Sequence, residues 1–363
     1  MEKLRVGLLF GGRSVEHEVS LVSATSILKA LDPNHYDITL IAIAPDGRWH
    51  LGTPALPPEA ALTGEEVNLP AAPGTSTLLS ASQRDLGPTA DLDVIFPVIH
   101  GRGGEDGSLQ GLLEMAGVPY VGSAVLGSAL QMDKEVAKRL LSAAGLPVVP
   151  WVAVRSGELQ ISAPAVSEHA LAELGLPLFV KPANLGSSVG ISRVAERGEL
   201  IPALREAARF DTKILVERGL DAREIEVALL GNDPIEASVP GEIRTGHTFY
   251  DYEAKYADET TDLLVPAPLS EAQTQRVRRL AIDAMQVLEG AGLARVDFLL
   301  ERETGEFFVN EVNSLPGFTE GSMYPRLWDA SGLPYPALLD RLIELALERH
   351  RERSALETVY RRT

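Results

Sequence analysis

Cysteine is absent from the 363 residues, which removes disulfides, thiolate metal sites and cysteine nucleophiles from consideration. No run of about 18 apolar residues occurs, so no helical membrane span is expected. The opening "MEKLRVGLLFGG" has an apolar run too short for a signal peptide and passes straight into a glycine turn. It reads as a first strand, with a cytoplasmic location as the default. Positive charge is scarce: 33 Lys and Arg face 51 Asp and Glu, a net charge of −18. A broad nucleic-acid footprint needs a basic face and is excluded, whereas a small anion held by a few local cations is not. Lysine is scarcer still, limited to Lys3, Lys29, Lys134, Lys138, Lys181, Lys213 and Lys255. Genome base composition accounts for that bias, yet it makes each lysine worth following. Neither GxxxxGK[ST] nor GxGxxG is present, so a Walker loop and a dinucleotide fingerprint are both ruled out.

The length calls for more than one domain. Residues 4–10 read as an apolar strand, followed by a helix to about Lys29 with Val19, Val22, Ser23, Ile27 and Ala30 on one stripe. "ITLIAIAP" is a second strand, and residues 51–90, rich in Pro, Gly and Ala, look like a loop-dominated excursion. "DVIFPVI" is a third buried strand, broken by "HGRGGEDG"; "SLQGLLEMAG" is a short helix ending on Gly117, and "VPYVG" another strand. This alternation predicts an α/β domain with a parallel sheet. A helix N-capped by Asp133 and stopped by Gly145 and Pro147 places the first boundary just before it. Strands and turns dominate 148–240, with a helix near 199–209, and 240–262 follows neither period. Ser270 and Gln273 form a capping box for a helix with Val277, Leu280, Ala281, Ala284 and Leu288 on its stripe and Gly290 at its end. "LARVDFLLERETGEFFVNEVN" predicts a hairpin around Glu303-Thr304-Gly305, and an amphipathic helix closes the chain. No internal repeat is visible.

"KPANLGSSVG", residues 181–190, joins two strands. Small residues let backbone N–H groups converge on an anion, and Lys181 supplies charge at the loop's base. Taken alone, the stretch reads equally well as a plain glycine hairpin with a surface lysine. The hairpin beyond it says more. Symmetric pairing about Thr304 sets Asp297 opposite Glu311, with Asn313 and Arg295 on the same face; a bulge would shift this by one residue. Two facing carboxylates repel unless a hard divalent cation or arginines resolve the conflict. The flanking "FFV" suggests a buried setting and favours the metal. Lys134 in a first helical turn, Glu217 and Glu224 read in isolation as solvated charges. Glu16 at a helix start reads as a dipole-favoured cap, and His100 ends a strand at a sheet's C-terminal edge, where α/β proteins place ligands.

Together the stretches "FGGRSVEHEVSLVSA", "HGRGGEDGSLQG", "QMDKEVAK", "FVKPANLGSSVGIS", "FYDYEAKY", "ARVDF" and "NEVNSLPGFTEGSMYP" resemble, in order and over nearly the whole chain, the D-alanine–D-alanine ligases of the ATP-grasp superfamily. The resemblance implies a Rossmann-like N-terminal substrate domain (1–131), a central ATP-grasp subdomain (132–218) and an α+β C-terminal domain (219–363) with a mobile loop at 245–265. It implies ligation of two D-alanines through an acyl phosphate, yielding ADP and phosphate, for peptidoglycan precursors. Ligation to D-lactate, or of another carboxylate–amine pair, is the alternative, and Tyr256 at the lid favours the dipeptide.

By that resemblance Lys134 and Lys181 hold the nucleotide phosphates, with Gly186, Ser187 and Ser188 covering them through backbone N–H groups and Lys255 reaching in from the lid. Glu217, Leu220 and Glu224 meet adenine and ribose. Asp297, Glu311 and Asn313 hold two Mg²⁺ ions, with Mn²⁺ as a substitute and room for a monovalent cation such as K⁺. Glu16, linked to Ser187 and Tyr256, binds the first ammonium, and His100 lies near that substrate. Arg295 and the Gly317 N–H form an oxyanion hole, and Ser322 receives the second carboxylate. A homodimer is the family expectation. The base that deprotonates the second amine is not identified.

Overall fold

Three sheets organise the computed structural model, which describes residues 3–54, 58–72, 77–81, 88–186, 189–244 and 262–357. The first begins with β1 (Leu4–Gly11), α1 (His17–Ala30) and β2 (Tyr36–Ile43). β1 is buried from Val6 to Gly11, the near-continuous burial of a strand covered on both faces. It pairs in parallel with β2 on one side and with the Val94–Pro97 strand on the other. The expected α1 stripe needs correction. Leu21, Ala24 and Ile27 are buried with Ser20 and Ser23, whereas Val22 is exposed and lines a cleft together with Val19. Those two valines face open space rather than core.

Residues 51–90 are not the loop-dominated excursion their composition suggested. β3 (Trp49–Gly52), α2 (Pro58–Ala61), β4 (Glu65–Asn68), β5 (Thr77–Ser80) and β6 (Pro88–Asp91) extend the sheet by antiparallel pairs. With β7 (Val94–Pro97) the order is β6-β5-β4-β3-β2-β1-β7, so only the β2-β1-β7 end is parallel. Strands of four residues are too short to display a period, and single buried anchors such as Val67 and Leu78 hold them. "VPYVG" contributes one bridge, Tyr120 to Ile95, rather than a strand. α3 (Ser108–Ala116) ends at Gly117 in the left-handed region, φ +70°. α4 (Val125–Met132) leads to α5 (Lys134–Ala143), whose cap Asp133 accepts from Val136 N at 3.0 Å.

The second sheet has β8 (Trp151–Arg155), β9 (Leu178–Pro182), β10 (Ser192–Val194) and β11 (Lys213–Arg218) in the order β10-β9-β11-β8. α6 (Ser156–Leu174) and α7 (Leu200–Ala207) cover it. α6 contradicts the strand-and-turn reading of its region. Gly157 and Pro164 mask it in the sequence, Ser162 is non-helical within it, and its buried stripe consists largely of the small residues Ala163, Ser167 and Ala170, with Leu174.

The third sheet has β12 (Ala222–Gly231), β13 (Glu236–Ala237), β14 (Gly241–Arg244), β15 (Asp262–Leu264), β16 (Gly292–Glu301) and β17 (Phe307–Asn313). Its path is β15-β14-β12-β16-β17, with β13 on β12. α8 (Glu271–Val287) starts with the expected capping box: Gln273 N donates to Ser270 Oγ at 3.3 Å and Ser270 N to Gln273 Oε1 at 3.0 Å. α8 and α5 pack on one face of this sheet. α9 (Met323–Ala330) and α10 (Tyr335–Ser354) share a core with β1, α1, β7 and the other face of β12.

Candidate active site

Strand register builds the acidic centre. Asp297 pairs with Glu311 across β16 and β17, and Arg295 with Asn313. Beyond Asp297 the register slips, so that Phe298 faces Val309 and Asn310 is the extra residue of a bulge. On the other side of β16, Glu226 of β12 pairs with Asp297. Glu226, Asp297 and Glu311 therefore form one row on one face. Cations answer it. Arg295 donates to both Asp297 oxygens at 2.7 Å and pairs through Nε with Glu226 Oε2 at 3.1 Å. Asn313 Nδ2 also donates to Asp297, at 2.9 Å, and Lys134 Nζ lies 3.1 Å from Glu311 Oε2. Burial works against the Arg295 charge, but Asp297 and then Glu226 hold its pKa well above the ordinary value. No three acidic or histidine side chains among the described residues are drawn together around one point. The donor set is nonetheless one a hard divalent cation takes: facing carboxylates and an amide oxygen, held by rigid strands.

The lysines are not surface residues. Lys134, Lys138 and Lys181 are all buried, as is Glu217, which corrects the solvated-charge readings of Lys134 and Glu217. Lys181 on β9 reaches Glu217 Oε2 at 2.7 Å and Asn310 Oδ1 at 3.3 Å; Lys138 reaches Glu217 Oε1 at 2.9 Å. Glu217 thus lies between two ammonium groups. Their pull outweighs its burial and holds its pKa below the usual carboxylate range. Lys134 also donates to the Leu185 carbonyl at 2.9 Å, joining α5 to the glycine loop. Burial disfavours its charge, but Glu311, Glu105 and Glu217 keep its pKa raised. Leu220 lies in the link between β11 and β12, and Glu224 shares a β12 face with Glu226.

A cleft of about 540 Å³ gathers the rest: Glu16, His100, Gly186, Arg295, Glu311, Asn313, Gly317 and Ser322 all line it. Asp297 does not; it sits behind Arg295 and Asn313. Glu16 precedes α1 but makes no cap bond. Its carboxylate turns instead toward Gly186 and Gly101, where an added Cβ would come within 3.2 and 2.6 Å of Oε2. His100 is buried, with Nδ1 donating to the Leu315 carbonyl and Nε2 accepting from Ser23, each at 3.1 Å. Burial lowers its pKa against the pull of Glu16, so the ring is neutral and fixed between α1 and the Leu315 turn. Ser322 Oγ is 2.6 Å from Thr319 Oγ1, and a Cβ on Gly317 would lie 3.1 Å from that hydroxyl. Ser187, Ser188, Lys255, Tyr256 and most of the 245–265 loop lie outside the described residues.

Three residues escaped sequence reasoning. Glu105, inside "HGRGGEDG", accepts from Gly101 N at 2.7 Å; burial, then Glu16, pushes its pKa up to about 8. Its place in a strand-end loop beside His100 was the available signal. Lys138 follows Lys134 by one helical turn, and Glu226 follows Glu224 by one strand repeat. Either period would have found them.

Comparison with known proteins identifies the family and the fold. The family description "D-ala D-ala ligase N-terminus" matches residues 5–123, and "D-ala D-ala ligase C-terminus" matches 140–344. A D-alanine–D-alanine ligase of Heliobacterium modesticaldum is 46% identical over 356 residues, 97% of either chain. The solved D-alanine–D-alanine ligase of Coxiella burnetii is 38% identical, with a TM-score of 0.84 over 97% of both chains. The VanG D-Ala:D-Ser ligase of Enterococcus faecalis is 34% identical, with a TM-score of 0.84 over 95% of this chain and 100% of that one. The three sheets are those of an ATP-grasp enzyme, and the chain belongs to the D-alanine–D-alanine ligase family.

Proposed function

We propose that this chain joins two D-alanine molecules at the expense of ATP, in the cytoplasm, as a homodimer supplying peptidoglycan precursors. One observation carries the reading: a single cleft is walled by Glu16 and His100 from the first sheet's side, Gly186 from the second, and Arg295, Glu311 and Asn313 from the third. Residues 1–131 would present the first amino acid, while 132–218 and 219–363 would close on the nucleotide. Asp297, Glu311 and Asn313 would hold two divalent ions, Mg²⁺ or Mn²⁺, which would supply charge neutralisation at the phosphate oxygens.

The chain's own groups then divide the work. Lys134 and Lys181 bind phosphate oxygens, and the glycine loop covers them with N–H groups. Glu16 holds the ammonium of the first D-alanine, whose carboxylate attacks the γ-phosphorus as the bond to the bridging oxygen breaks and ADP leaves. The acyl phosphate so formed is attacked by the second amine, which gives up a proton as inorganic phosphate leaves, and Arg295 with the Gly317 N–H takes the charge developing on the carbonyl oxygen. Ser322 orients the second carboxylate. An acyl phosphate hydrolyses when wet, so closure of the 245–265 segment would exclude water. Glu217, Leu220 and Glu224 would flank adenine and ribose.

Phosphate release from ATP, measured with D-alanine, L-alanine, and D-alanine paired with D-lactate or D-serine, with and without Mg²⁺, tests the reading. Release with D-alanine alone, absent without Mg²⁺, is expected. Release only with the mixed pairs would replace the second substrate, and metal-independent turnover would remove the ion assignment.

A further inference from the structure

Arg295 occupies a carboxylate that the proposed reaction needs elsewhere. Both Asp297 oxygens are taken by its guanidinium at 2.7 Å. Arg295 covers the chelating edge of Asp297, so an ion held by both of its oxygens can bind only after Arg295 withdraws. Glu226 approaches the same Nε edge of that guanidinium. It is paired with Asp297 across β12 and β16, is buried with a side-chain exposure of 6%, and is 3.1 Å from Arg295 Nε. The single Nε–H thus has two anionic neighbours, Asp297 Oδ1 near and Glu226 Oε2 farther. A buried guanidinium with no remaining anion would be strongly disfavoured.

We infer that Glu226 is a positioning residue that receives Arg295 when divalent metal displaces it from Asp297. Arg295 stays charged and in the cleft wall throughout, at the place proposed for the oxyanion contact. The inference rests on the metal reading given under Proposed function. Its features are local: a strand pairing fixes Glu226 beside the arginine, and both residues line the cleft. A carboxylate at this position therefore affects the ion without touching it, by setting how firmly Arg295 competes for Asp297.

The test is Mn²⁺ binding in the presence of ADP, followed by electron paramagnetic resonance on wild type, Glu226→Gln and Glu226→Asp, with melting temperatures recorded alongside. Loss of a charged partner predicts Mn²⁺ binding weaker by roughly ten-fold or more in Glu226→Gln, largely restored in Glu226→Asp, at a temperature well below the melting point of every variant. Equal Mn²⁺ affinity in wild type and Glu226→Gln overturns the role of Glu226. Failure of wild type itself to bind Mn²⁺ with ADP overturns the underlying metal reading instead. Should Glu226→Gln not fold, a crystal structure of wild type with ADP and Mg²⁺ decides. Arg295 on Glu226 with Asp297 turned to the ion is the expected result, and Arg295 keeping both Asp297 contacts rejects it.

Discussion

Glu311 is held by Lys134 and pointed into the cleft by its pairing with Asp297. Glu311→Gln should lower ATP-dependent phosphate release by ~100-fold or more if it is an ion ligand; wild-type turnover would remove that assignment. Lys181→Ala deletes a buried cation, and the ATP Kd should rise roughly ten-fold, read by calorimetry. An unchanged Kd would place Lys181 in the support of Glu217 alone. Glu105 makes a prediction about pH. Its folded pKa, about 8, lies above that of an exposed carboxyl. Between the two values the folded state binds more protons than the unfolded one, so stability contributed by this group is present at low pH and is lost as pH rises toward 8. Urea titrations should show Glu105→Gln gaining on wild type as pH goes from 5 to 8; a parallel pair of curves would contradict the protonated carboxyl. At this scale the sequence was partly legible. The Asp297–Glu311 pairing followed from counting back from the turn. The burial of Lys134, Lys181 and Glu217 did not, because it depends on three separate elements closing over them.

Elements with strong local signals were readable. Ser270 and Gln273 marked the start of α8, and both reciprocal bonds are present. Ser270→Ala should cost about 1 kcal/mol, measured by denaturant unfolding, with activity retained; no loss would mean the cap is replaced by water. The parallel β2-β1-β7 trio was visible as apolar runs. The short antiparallel strands β3–β6 were not, because four residues cannot express a period of two against Pro and Gly connections. α6 was hidden for a related reason, since its buried stripe is mostly small residues and it carries a proline. The bulge at Asn310 shows how register serves the site. It keeps Glu311 opposite Asp297 while the outer part of the hairpin runs one residue out of step, and the displaced side chain meets Lys181.

Across the molecule the cores are unequal. The middle sheet closes on α6 and α7 by itself, whereas β1, α1 and β7 share a core with α9, α10 and β12. Tyr36 donates to Asp340 at 2.7 Å along that seam. Leu342, fully buried in the shared core, should cost about 2–5 kcal/mol on replacement by alanine. Loss of the first sheet's and α10's hydrogen-exchange protection together would mark them as one unit, and loss confined to α10 would separate them. This seam also bears on the birth of the protein. On the ribosome, α1 can cover β1 as soon as it emerges, but the part of this core that α9 and α10 complete waits for residues 323–354. Until then the N-terminal sheet carries an apolar face that its own first helices cover only in part.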